Sequence, residues 1–414
     1  MQVPYHYSGD TLYLEDVALA DIAAATGTPC YVYSSGDILK RFHAYNDSFG
    51  DQPHQVCYAV KANSNIGVLK VLAQAGAGFD IVSAGELYRV IEAGGDTGMV
   101  VFSGVGKTRD EIDWAIRARI HGFNCESAAE LELIESVAAR RGVKVRVAFR
   151  VNPDVGAETH PYISTGLKDH KFGIDINEVE PLYIRAKGMA WVIPDGVSCH
   201  IGSQMLDTKP VMEAIDRLLG LVDRLRAREV PIGYIDFGGG LGVQYQPEHD
   251  PPDIVAFVKA MCAKVEGREL KVMVEPGRSI VAQAGVLLTR VLYRKMTPRK
   301  EFVVVDAAMN DLIRPSLYQS YHEIIPLRKN PFGVIKADVV GPVCETGDFL
   351  ARDRQMANVL PGDYLAVCTS GAYGFVLASN YNSRPRPPEV LVEGGKWRVV
   401  RERESFEDLT RGEH

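Results

Sequence analysis

Residues 56–63 read Val56-Cys57-Tyr58-Ala59-Val60-Lys61-Ala62-Asn63, an apolar run that ends in a lysine. It is the first of a series between about residues 55 and 275, in which short apolar, β-branched segments alternate with longer segments of helical periodicity. This alternation is typical of repeated βα units and of a parallel sheet. The fold class predicted for this part of the chain is therefore α/β.

The number of apolar segments distinguishes an open sheet from a closed barrel. Eight such segments close a (β/α)8 barrel of the TIM type in roughly 250 residues, and the segments between them carry apolar residues at helical spacing. A barrel over residues 31–283 is therefore predicted. Its strands are expected at residues 56–60, 79–82, 99–102, 122–125, 145–151, 197–201, 234–237 and 272–275.

A second domain is predicted after residue 284, where strand-like runs replace the alternating pattern. This domain is expected to be mostly antiparallel β-structure and to comprise residues 1–30 and 284–414. Segments 11–14 and 30–33 are expected to add strands to it. A chain of 414 residues is long enough for two domains. The later runs lie at residues 286–293, 302–306, 337–340, 364–368 and 397–401.

Composition and charge narrow the classes of function. The formal net charge of -7 argues against a nucleic-acid partner, which requires a basic surface. No apolar run approaches the ~20 residues that span a bilayer, and no charged segment followed by an apolar one opens the chain, so no membrane association is expected. A small-molecule substrate and a cytoplasmic location are therefore predicted.

The cysteine pattern indicates neither a disulfide framework nor a metal site. The seven cysteines are an odd number, and none forms a Cys-x-x-Cys pair. Cys344 lies among glycine and proline residues, in a loop-like context where a thiol could contact a substrate. Four others lie in apolar runs and are interpreted as core residues: Cys57, Cys125, Cys199 and Cys368.

Lys61 stands directly after the first predicted strand. In a closed parallel barrel the reactive groups lie at the carboxyl ends of the strands. A lysine in apolar surroundings is poorly solvated in its charged form, so its pKa falls and the neutral amine can form a Schiff base. The alternative is a lysine that extends from the strand end to the surface.

Strand seven runs into Gly238-Gly239-Gly240-Leu241-Gly242. Glycines allow backbone N–H groups to approach an anion, and the loop after a late barrel strand is a recurring phosphate site. Two other phosphate motifs fail. The dinucleotide fingerprint counted from Gly238 requires glycine where Val243 stands, and Ser103-Gly104-Val105-Gly106-Lys107-Thr108 has Val101 where a P-loop requires glycine.

Two more strand ends carry polar groups. Glu275, after strand eight, would suit a protonated ring nitrogen, although it could instead pair with Arg278 or cap a helix. His200, after strand six, could stack on a planar ring while the hydroxyl of Ser203 meets a phosphate, although a lone histidine is more often structural. With Lys61 and the glycine loop, these groups together indicate pyridoxal phosphate.

These residues resemble those of the alanine-racemase-like, barrel-type pyridoxal-phosphate-dependent decarboxylases. The resemblance extends to the branch that converts meso-2,6-diaminopimelate to L-lysine and CO2, the last step of lysine biosynthesis. It implies a two-fold homodimer with active sites at the interface. It covers almost the whole chain, with motifs at residues 58–63, 79–86, 102–108, 170–173, 200–204, 238–242, 275–279, 311–318, 341–348, 371–374 and 379–385.

The resemblance also assigns the cofactor-binding residues. Lys61 would hold pyridoxal phosphate covalently, His200 would stack on its ring, and Glu275 would pair with the ring nitrogen. The phosphate would be held by Ser203, Gly238, Gly239, Gly240, Gly277 and Arg278. The resemblance adds three residues to the cofactor-binding set: Asp80, Pro276 and Tyr373.

The second domain would supply the substrate contacts. By the resemblance, Arg278, Arg314 and Tyr318 would bind the distal carboxylate of the substrate, Glu345 its distal ammonium, and Tyr373 both substrate and cofactor phosphate. Guanidinium groups bind carboxylates bidentately, so ornithine and lysine, which lack a distal carboxylate, would be disfavoured. The general acid that protonates the substrate carbon after CO2 departs would be Cys344, reaching the cofactor from the second subunit, with Tyr373 and Lys61 as alternatives.

Three other functions remain open at this point. A decarboxylase of ornithine, arginine or a related diamino acid would share every barrel motif. An amino-acid racemase would share the barrel and Lys61, but it gives no reason for Arg314, Tyr318 and Glu345. A non-catalytic pyridoxal-phosphate carrier would keep Lys61 and the glycine loop without a long β domain.

Overall fold

The computed structural model describes residues 3–155 and 171–414, which form two compact units. The barrel unit comprises the described residues of 40–243 and 250–279, and the β unit comprises the described residues up to Leu39 together with 244–249 and 280–414. Residues 31–39 therefore group with the β unit and not with the barrel. The reason is that Cys30–Ser34 is hydrogen-bonded on both sides within the sheet of the β unit.

The barrel unit is a closed ring of eight parallel strands. Each strand is hydrogen-bonded to the next along the chain, and the eighth strand pairs with the first, which confirms the predicted (β/α)8 barrel. A short parallel strand, Ile174–Asp175, adds to the fifth. The strands are β1 (His54–Ala59), β2 (Gly78–Ile81), β3 (Val100–Phe102), β4 (Gly122–Cys125), β5 (Val145–Asn152), β6 (Val192–Ser198), β7 (Tyr234–Asp236) and β8 (Lys271–Val274).

A helix follows each barrel strand, and several helices begin at a side-chain cap. Ser83 and Ser127 each accept a hydrogen bond from a backbone N–H in the first turn of the following helix, and Thr108 forms a capping box with Glu111. Within the described residues, no helix has the length and apolar character needed to cross a membrane. The helices are Ile66–Gln74, Ala84–Glu92, Arg109–Arg117, Ala128–Arg141, Val179–Lys187, Lys209–Ala227, Ile254–Val265 and Arg278–Val281.

The interior of the barrel is filled by a layer of buried side chains that includes Cys57, Val101 and Tyr234. The ring of Tyr234 lies against the backbone of Gly196 on β6, where a Cβ atom would overlap the ring. Glycine is therefore required at position 196 by the volume of the tyrosine. The result is an apolar floor beneath the carboxyl ends of the strands.

The sixth strand begins earlier than the sequence predicted. It spans Val192–Ser198, whereas residues 197–201 were expected. Pro194 and Gly196 are typical of turns, but the strand tolerates them because its register with β5 shifts between these two residues. His200 therefore follows the strand and lies in the loop at its carboxyl end.

The β unit contains a nine-stranded, mostly antiparallel sheet, as predicted. Its longest strand, Gly285–Met296, pairs antiparallel with Cys30–Ser34, Glu301–Val305 and Tyr364–Val367. Two of the pairings are parallel, and both cross long stretches of chain. The remaining strands are Ile324–Pro326, Val334–Val340, Phe349–Ala357, Glu389–Glu393 and Lys396–Arg401.

Residues 11–14 form a strand of the β unit, as expected, but this strand belongs to a separate, smaller sheet. Tyr5–Ser8, Thr11–Leu14 and Val17–Ala18 make a three-stranded antiparallel sheet, followed by the helix Leu19–Thr26. Leu12 and Leu14 of this small sheet share one apolar core with side chains of the large sheet. The small sheet is therefore attached to the large one by side-chain packing, supported by an isolated bridge from Thr11 to Arg328.

The β unit also contains the helices Arg314–Tyr318 and Phe406–Leu409, and Ser35–Asn46 begins in this unit.

The contact between Gly196 and Tyr234 leads to a stability prediction. Gly196→Ala is expected to lower the free energy of unfolding by about 1–3 kcal/mol, because the added methyl group overpacks the barrel floor. Urea unfolding followed by circular dichroism would measure the change. The matched control is Gly85→Ala in the helix Ala84–Glu92, where the added Cβ meets nothing closer than 3.8 Å and an increase of about 0.5–1 kcal/mol is expected. Equal effects of the two substitutions would contradict the packing argument.

Candidate active site

Polar side chains from five of the eight strands, or from the segments that follow them, meet at the carboxyl rim of the barrel. They surround a cavity of about 280 Å³. Lys61 follows β1, Arg150 lies on β5, and Glu275 follows β8, so the rim combines residues separated by more than two hundred positions. The cavity is lined by Lys61, Val82, Ser103, Gly104, Arg150, Phe172, Ser198, His200 and Glu275.

Lys61 lies in a short 3₁₀ turn, Val60–Ala62, immediately after β1. Its Nζ donates to Oδ2 of Asp80 on β2 at 2.6 Å, and the Asp80 side chain is fully buried while the Lys61 side chain is one-third exposed. The sequence argument placed Lys61 in apolar surroundings. The structure instead places a buried carboxylate beside its amine. A buried carboxylate fixes the position of the amine at the rim.

His200 presents a neutral imidazole to the cavity. Burial lowers the pKa of His200 well below its usual value, and the positive charges of Arg150 and Lys61 lower it further. Its Nδ1 accepts the N–H of Gly239 at 3.2 Å. A backbone N–H can only donate, so Nδ1 is unprotonated and the ring proton lies on Nε2. An uncharged ring in this position is suited to stacking on a planar group.

The glycine loop after β7 packs tightly against neighbouring strand ends. A Cβ atom on Gly239 would overlap the carbonyl of Glu275, and one on Gly240 would overlap the carbonyl of Gly202. Gly238 has φ +67°, a conformation that favours glycine, and its N–H donates to Asp236 at 2.8 Å. With the N–H of Gly239 bound to His200, two of the three N–H groups expected to hold phosphate already have protein acceptors.

Arg278 and Ser203 lie together at the same rim. Nη2 of the buried Arg278 donates to Oγ of Ser203 at 2.8 Å. The preceding residues connect this group to the end of β1, because the carbonyl of Pro276 accepts the N–H of Ala59 at 3.1 Å. Gly277 packs so closely against Ala59 and the residue after Lys61 that a Cβ atom would meet them at 3.0–3.1 Å. The turn after β8 is thereby fixed beside Lys61.

Glu275 belongs to a buried carboxyl pair. Its side chain lies near that of Asp236, which ends β7, and the two carboxyl groups share one amide donor. Asn124 donates to both, at 3.2 Å to Glu275 and 3.4 Å to Asp236. Burial, and then the negative charges of Asp236 and Asp80, raise the pKa of Glu275 well above its usual value. Burial also raises the pKa of Asp236.

Arg150 is a cavity residue that the sequence reasoning missed, as it missed Glu126, the ion-pair partner of Arg150. Arg150 donates to Glu126 at 3.1 Å and lies 4.7 Å from the centre of the Phe172 ring, and Glu126 accepts the N–H of Gly173 at 2.7 Å. These contacts hold residues 172–173 of the motif at 170–173 beside the cavity, while His170 lies outside the described residues. The available signal was a charged residue inside an apolar run, in β5 and after β4.

The P-loop-like segment has a structural explanation. Nζ of Lys107 is buried and donates to Glu130 at 2.5 Å, to the carbonyl of Gly104 at 2.7 Å and to the carbonyl of Asn124 at 2.8 Å. These acceptors satisfy the donors of a lysine ammonium, which has three. Lys107 therefore connects the loops after β3 and β4 and is not available for a phosphate.

In the β unit, the predicted substrate arginine is held by a residue that the sequence reasoning passed over. Nη1 of the buried Arg314 donates to the hydroxyl of Tyr245 at 2.6 Å, and Nη2 donates to Ser320 at 3.2 Å. The Tyr245 ring also lies edge-on to His322. These two acceptors orient the guanidinium plane of Arg314, and a fixed plane favours bidentate binding of a carboxylate.

The remaining predicted residues of the β unit lie in loops or at the end of a short helix. Cys344 and Glu345 are exposed, and the N–H of Cys344 donates to Asn382 at 2.8 Å. Tyr373 has φ +55°, a left-handed conformation that is uncommon outside glycine. Tyr318 ends the helix Arg314–Tyr318 and is half-buried. An exposed thiol and an exposed carboxylate are accessible to a substrate or to another subunit.

Comparison with known proteins identifies the family. The family model described as pyridoxal-dependent decarboxylase, pyridoxal binding domain, matches residues 35–282. The chain belongs to the pyridoxal-dependent decarboxylases. Pyridoxal phosphate is therefore the cofactor of this enzyme, and the predicted class of PLP-dependent carboxy-lyase is confirmed.

Full-length relatives of this decarboxylase are similar over both units. The diaminopimelate decarboxylase of Pseudomonas aeruginosa is 54% identical over 409 residues, which are 99% of this chain and 98% of the relative. The solved structure of diaminopimelate decarboxylase from Helicobacter pylori complexed with L-lysine is 42% identical, with a TM-score of 0.92 over 95% of this chain and 98% of that chain. The corresponding structure from M. jannaschii in co-complex with L-lysine has 36% identity and a TM-score of 0.95, over 99% and 97%.

The residues of this decarboxylase fit its cofactor. Oδ1 of the buried Asp80 has no hydrogen-bond partner in the described part of the chain, so it can accept a donor from a bound group. The cavity combines an amine at Lys61, a neutral ring at His200 and a carboxyl at Glu275, which match an aldehyde, a planar ring and a ring nitrogen. Each of the three groups lies on a different loop of the same rim.

Glu86, near Lys61 and Asp80, gives the enzyme a testable pH dependence. Burial raises the pKa of Glu86 from 4.5 to about 7, although the N–H of Val82 donates to it at 2.7 Å. The folded state therefore holds this proton more tightly than the unfolded state, so the stability from Glu86 is complete below about pH 4.5 and is lost as the pH rises through 7. In Glu86→Gln, unfolding free energy measured in urea should fall less steeply over this range. Glu92→Gln, an exposed position of the same helix, is the control, and an unchanged slope in Glu86→Gln would refute the assignment.

Proposed function

We propose that this pyridoxal-phosphate-dependent decarboxylase converts meso-2,6-diaminopimelate to L-lysine and CO2, the last step of lysine biosynthesis. The relatives that match nearly the whole chain are diaminopimelate decarboxylases, at 45–54% identity. The observation that carries the proposal in the structure is the fixed guanidinium of Arg314. A distal carboxylate is the feature that separates diaminopimelate from lysine and ornithine.

The reaction uses Lys61 and the carboxyl rim. The cofactor, when bound, supplies an electron sink for the electron pair left when the α-carboxylate departs as CO2. Lys61 is the amine proposed to hold it covalently, and Asp80 orients that amine through the 2.6 Å ion pair. His200 provides a neutral face for the ring, and Glu275 is the carboxyl proposed to face the ring nitrogen.

The phosphate is proposed to bind where Ser203 and Arg278 lie together. The N–H groups of Gly238 and Gly239 have protein acceptors, so backbone donation would come from Gly240, Gly277 and Arg278. Gly238 and Gly239 then serve the site through their lack of side chains, which allows the close packing of the loop. Pro276 shapes the same turn, and Tyr373 is proposed to complete the phosphate contacts.

Substrate recognition is proposed to depend on the two charged groups at the distal end of the substrate, its carboxylate and its ammonium. Arg314, Arg278 and Tyr318 would bind the distal carboxylate. Glu345 would bind the distal ammonium, since its exposed carboxylate is the complementary charge. After CO2 departs, the thiol of Cys344 would deliver a proton to the substrate carbon, with Tyr373 and Lys61 as the competing donors.

We further infer that the enzyme is a homodimer and that Cys344 completes the active site of the partner subunit. The exposed position of Cys344 in the β unit supports this, because an exposed loop is free to enter a neighbouring subunit.

A cytoplasmic location is also proposed, since all seven cysteines are free thiols, which suits a reducing compartment. The substrate is a small molecule, and no nucleic-acid or membrane partner is proposed.

The substrate proposal is tested by release of labelled CO2. We expect the enzyme to release CO2 from carboxyl-labelled meso-diaminopimelate, with a kcat/KM at least 10²-fold above the values for L-lysine and L-ornithine, because the fixed arginine has no carboxylate to bind in the last two. A preference for lysine, ornithine or arginine would overturn the proposal. Racemisation without CO2 release would favour a racemase.

The variant Arg314→Lys sharpens this assay. A lysine keeps the charge but loses the planar fork, so discrimination between meso-diaminopimelate and L-lysine should shrink while cofactor absorbance is retained. Lys329→Arg exchanges the same two residue types at a position beside Tyr7, and it should leave discrimination unchanged. Equal effects of the two exchanges would remove Arg314 from substrate binding.

The shared site is tested by subunit complementation. Lys61→Ala and Cys344→Ala should each turn over slowly as homodimers, and Cys344→Ala should keep bound cofactor. When the two variants are co-expressed, a heterodimer contains one site with both native residues, so recovery of about a quarter of the wild-type rate is expected for random pairing. Lys61→Ala co-expressed with Lys61→Arg is the matched control. No recovery above the homodimer rates would place Cys344 in the site of its own subunit or outside the reaction.

A further inference from the structure

The carboxyl pair of Asp236 and Glu275 stands out as a group whose full role the proposed mechanism leaves unexplained. Asp236 is completely buried and Glu275 is 5% exposed, and their carboxyl groups lie close enough to accept from the same amide nitrogen. Asn124, itself 1% exposed, donates its amide to both and also to Ser103 at 3.0 Å. Two carboxylates can only accept, so a direct hydrogen bond between these neighbouring groups forms only when one of them carries a proton.

The surroundings strengthen the requirement for this proton. Asp80 adds a third buried carboxyl near the pair, and Lys61 is the cation that partly offsets it. Ionising both members of a buried pair costs desolvation and repulsion together, which favours a state in which the pair holds one proton. Arg150 and His200 line the cavity with Glu275, and the pair also faces two thiols and a phenol whose pKa values are raised by burial: Cys57, Cys199 and Tyr234.

The barrel floor restricts exchange of this proton with solvent. Tyr234 and its apolar neighbours close the barrel beneath the pair, and the opposite side of Glu275 faces the cofactor cavity. Glu275 is a cavity-lining residue, whereas Asp236 is enclosed behind it. A group that enters the cavity therefore meets Glu275 first and reaches Asp236 only through it.

We propose that Asp236 is a positioning residue that shares one proton with Glu275, and that this carboxyl pair, rather than solvent, protonates the ring nitrogen of pyridoxal phosphate when it binds. In this transfer an O–H bond of the pair breaks and an N–H bond forms on the ring. The pair loses one proton and the ring gains one, so the total charge of the complex does not change. The inference deepens the role of Glu275 in the proposed function.

The structure shows how Asp236 can remain ionised after the transfer. Its Oδ1 accepts the N–H of Gly238 at 2.8 Å, and its Oδ2 accepts the amide of Asn124 at 3.4 Å. Glu275 retains the second Asn124 contact and gains the cationic ring nitrogen as a partner. Each carboxylate thus keeps donors from the protein when the shared proton has left.

The test measures protons taken up when cofactor-free enzyme binds pyridoxal phosphate. Calorimetry in buffers of different ionisation enthalpy gives this number, at a pH above the ring-nitrogen pKa of the free cofactor. In Asp236→Asn the new amide donates to Glu275, which is then ionised before binding, so the ring proton must come from solvent. We expect this variant to take up about one proton more than the wild type. Proton changes at Lys61 and at the phosphate occur in both proteins and cancel in the difference.

The control is Asp195→Asn, which replaces another buried barrel aspartate. Asp195 lies on β6 and is paired with Arg146 near the opposite end of the barrel. This variant should give the wild-type proton number, whereas the same increase as in Asp236→Asn would refute the proposal. An unchanged number in Asp236→Asn would also refute it.

A second measurement uses only the wild-type enzyme, in case Asp236→Asn does not fold or bind. The infrared band of a protonated, buried carboxyl group should disappear when pyridoxal phosphate binds, and persistence of that band would overturn the proposal. Both readouts follow cofactor binding and not turnover. If meso-diaminopimelate proved not to be the substrate, the proton measurement would still test the role of the carboxyl pair, because it depends only on cofactor binding.

Discussion

The hydrogen bonds that join β8 to β1 are the constraint on which the barrel unit depends. They pair Val272 with His54 and Val274 with Val56, residues more than two hundred positions apart, and close eight strands into a ring. The bond from the N–H of Ala59 to the carbonyl of Pro276 extends this pairing past the strand ends. Because of this closure, Lys61 and Glu275 line a single cavity.

A closed parallel ring also brings charged groups together where little water reaches them, so these groups lose solvation. Ion pairs between opposite charges at the rim offset this loss. Lys61 is paired with Asp80, Lys107 with Glu130, and Arg150 with Glu126. Removing one partner of such a pair leaves a buried charge uncompensated, which is far more costly than losing an exposed ion pair. The pairs therefore hold the loops in fixed positions as well as supplying chemistry.

Much of this organisation could be predicted from the sequence. The strand count predicted the barrel, the change of pattern near residue 284 predicted a β domain, and the rim groups were predicted as the seat of the chemistry. The predictions failed where local signals were outweighed by long-range contacts. Pro194 and Gly196 are typical of a turn, yet the pairing with β5 and the ring of Tyr234 keep them in β6. Residues 31–39 fell within the predicted barrel bounds of 31–283, whereas the hydrogen bonds of Cys30–Ser34 lie in the sheet of the β unit, where segment 30–33 was expected to add a strand.

The sequence alone predicted the type of most elements and the candidate reactive groups, because apolar periodicity and residue chemistry are local properties. Only the tertiary structure decided the protonation states of those groups and the hydrogen bonds that orient them. The neutral ring of His200 depends on burial and on Gly239, and the shared proton of Asp236 and Glu275 depends on two carboxyl groups 39 positions apart meeting in a dry interior. Protonation and hydrogen bonding depend on distance and desolvation, and the chain acquires both only when the barrel closes.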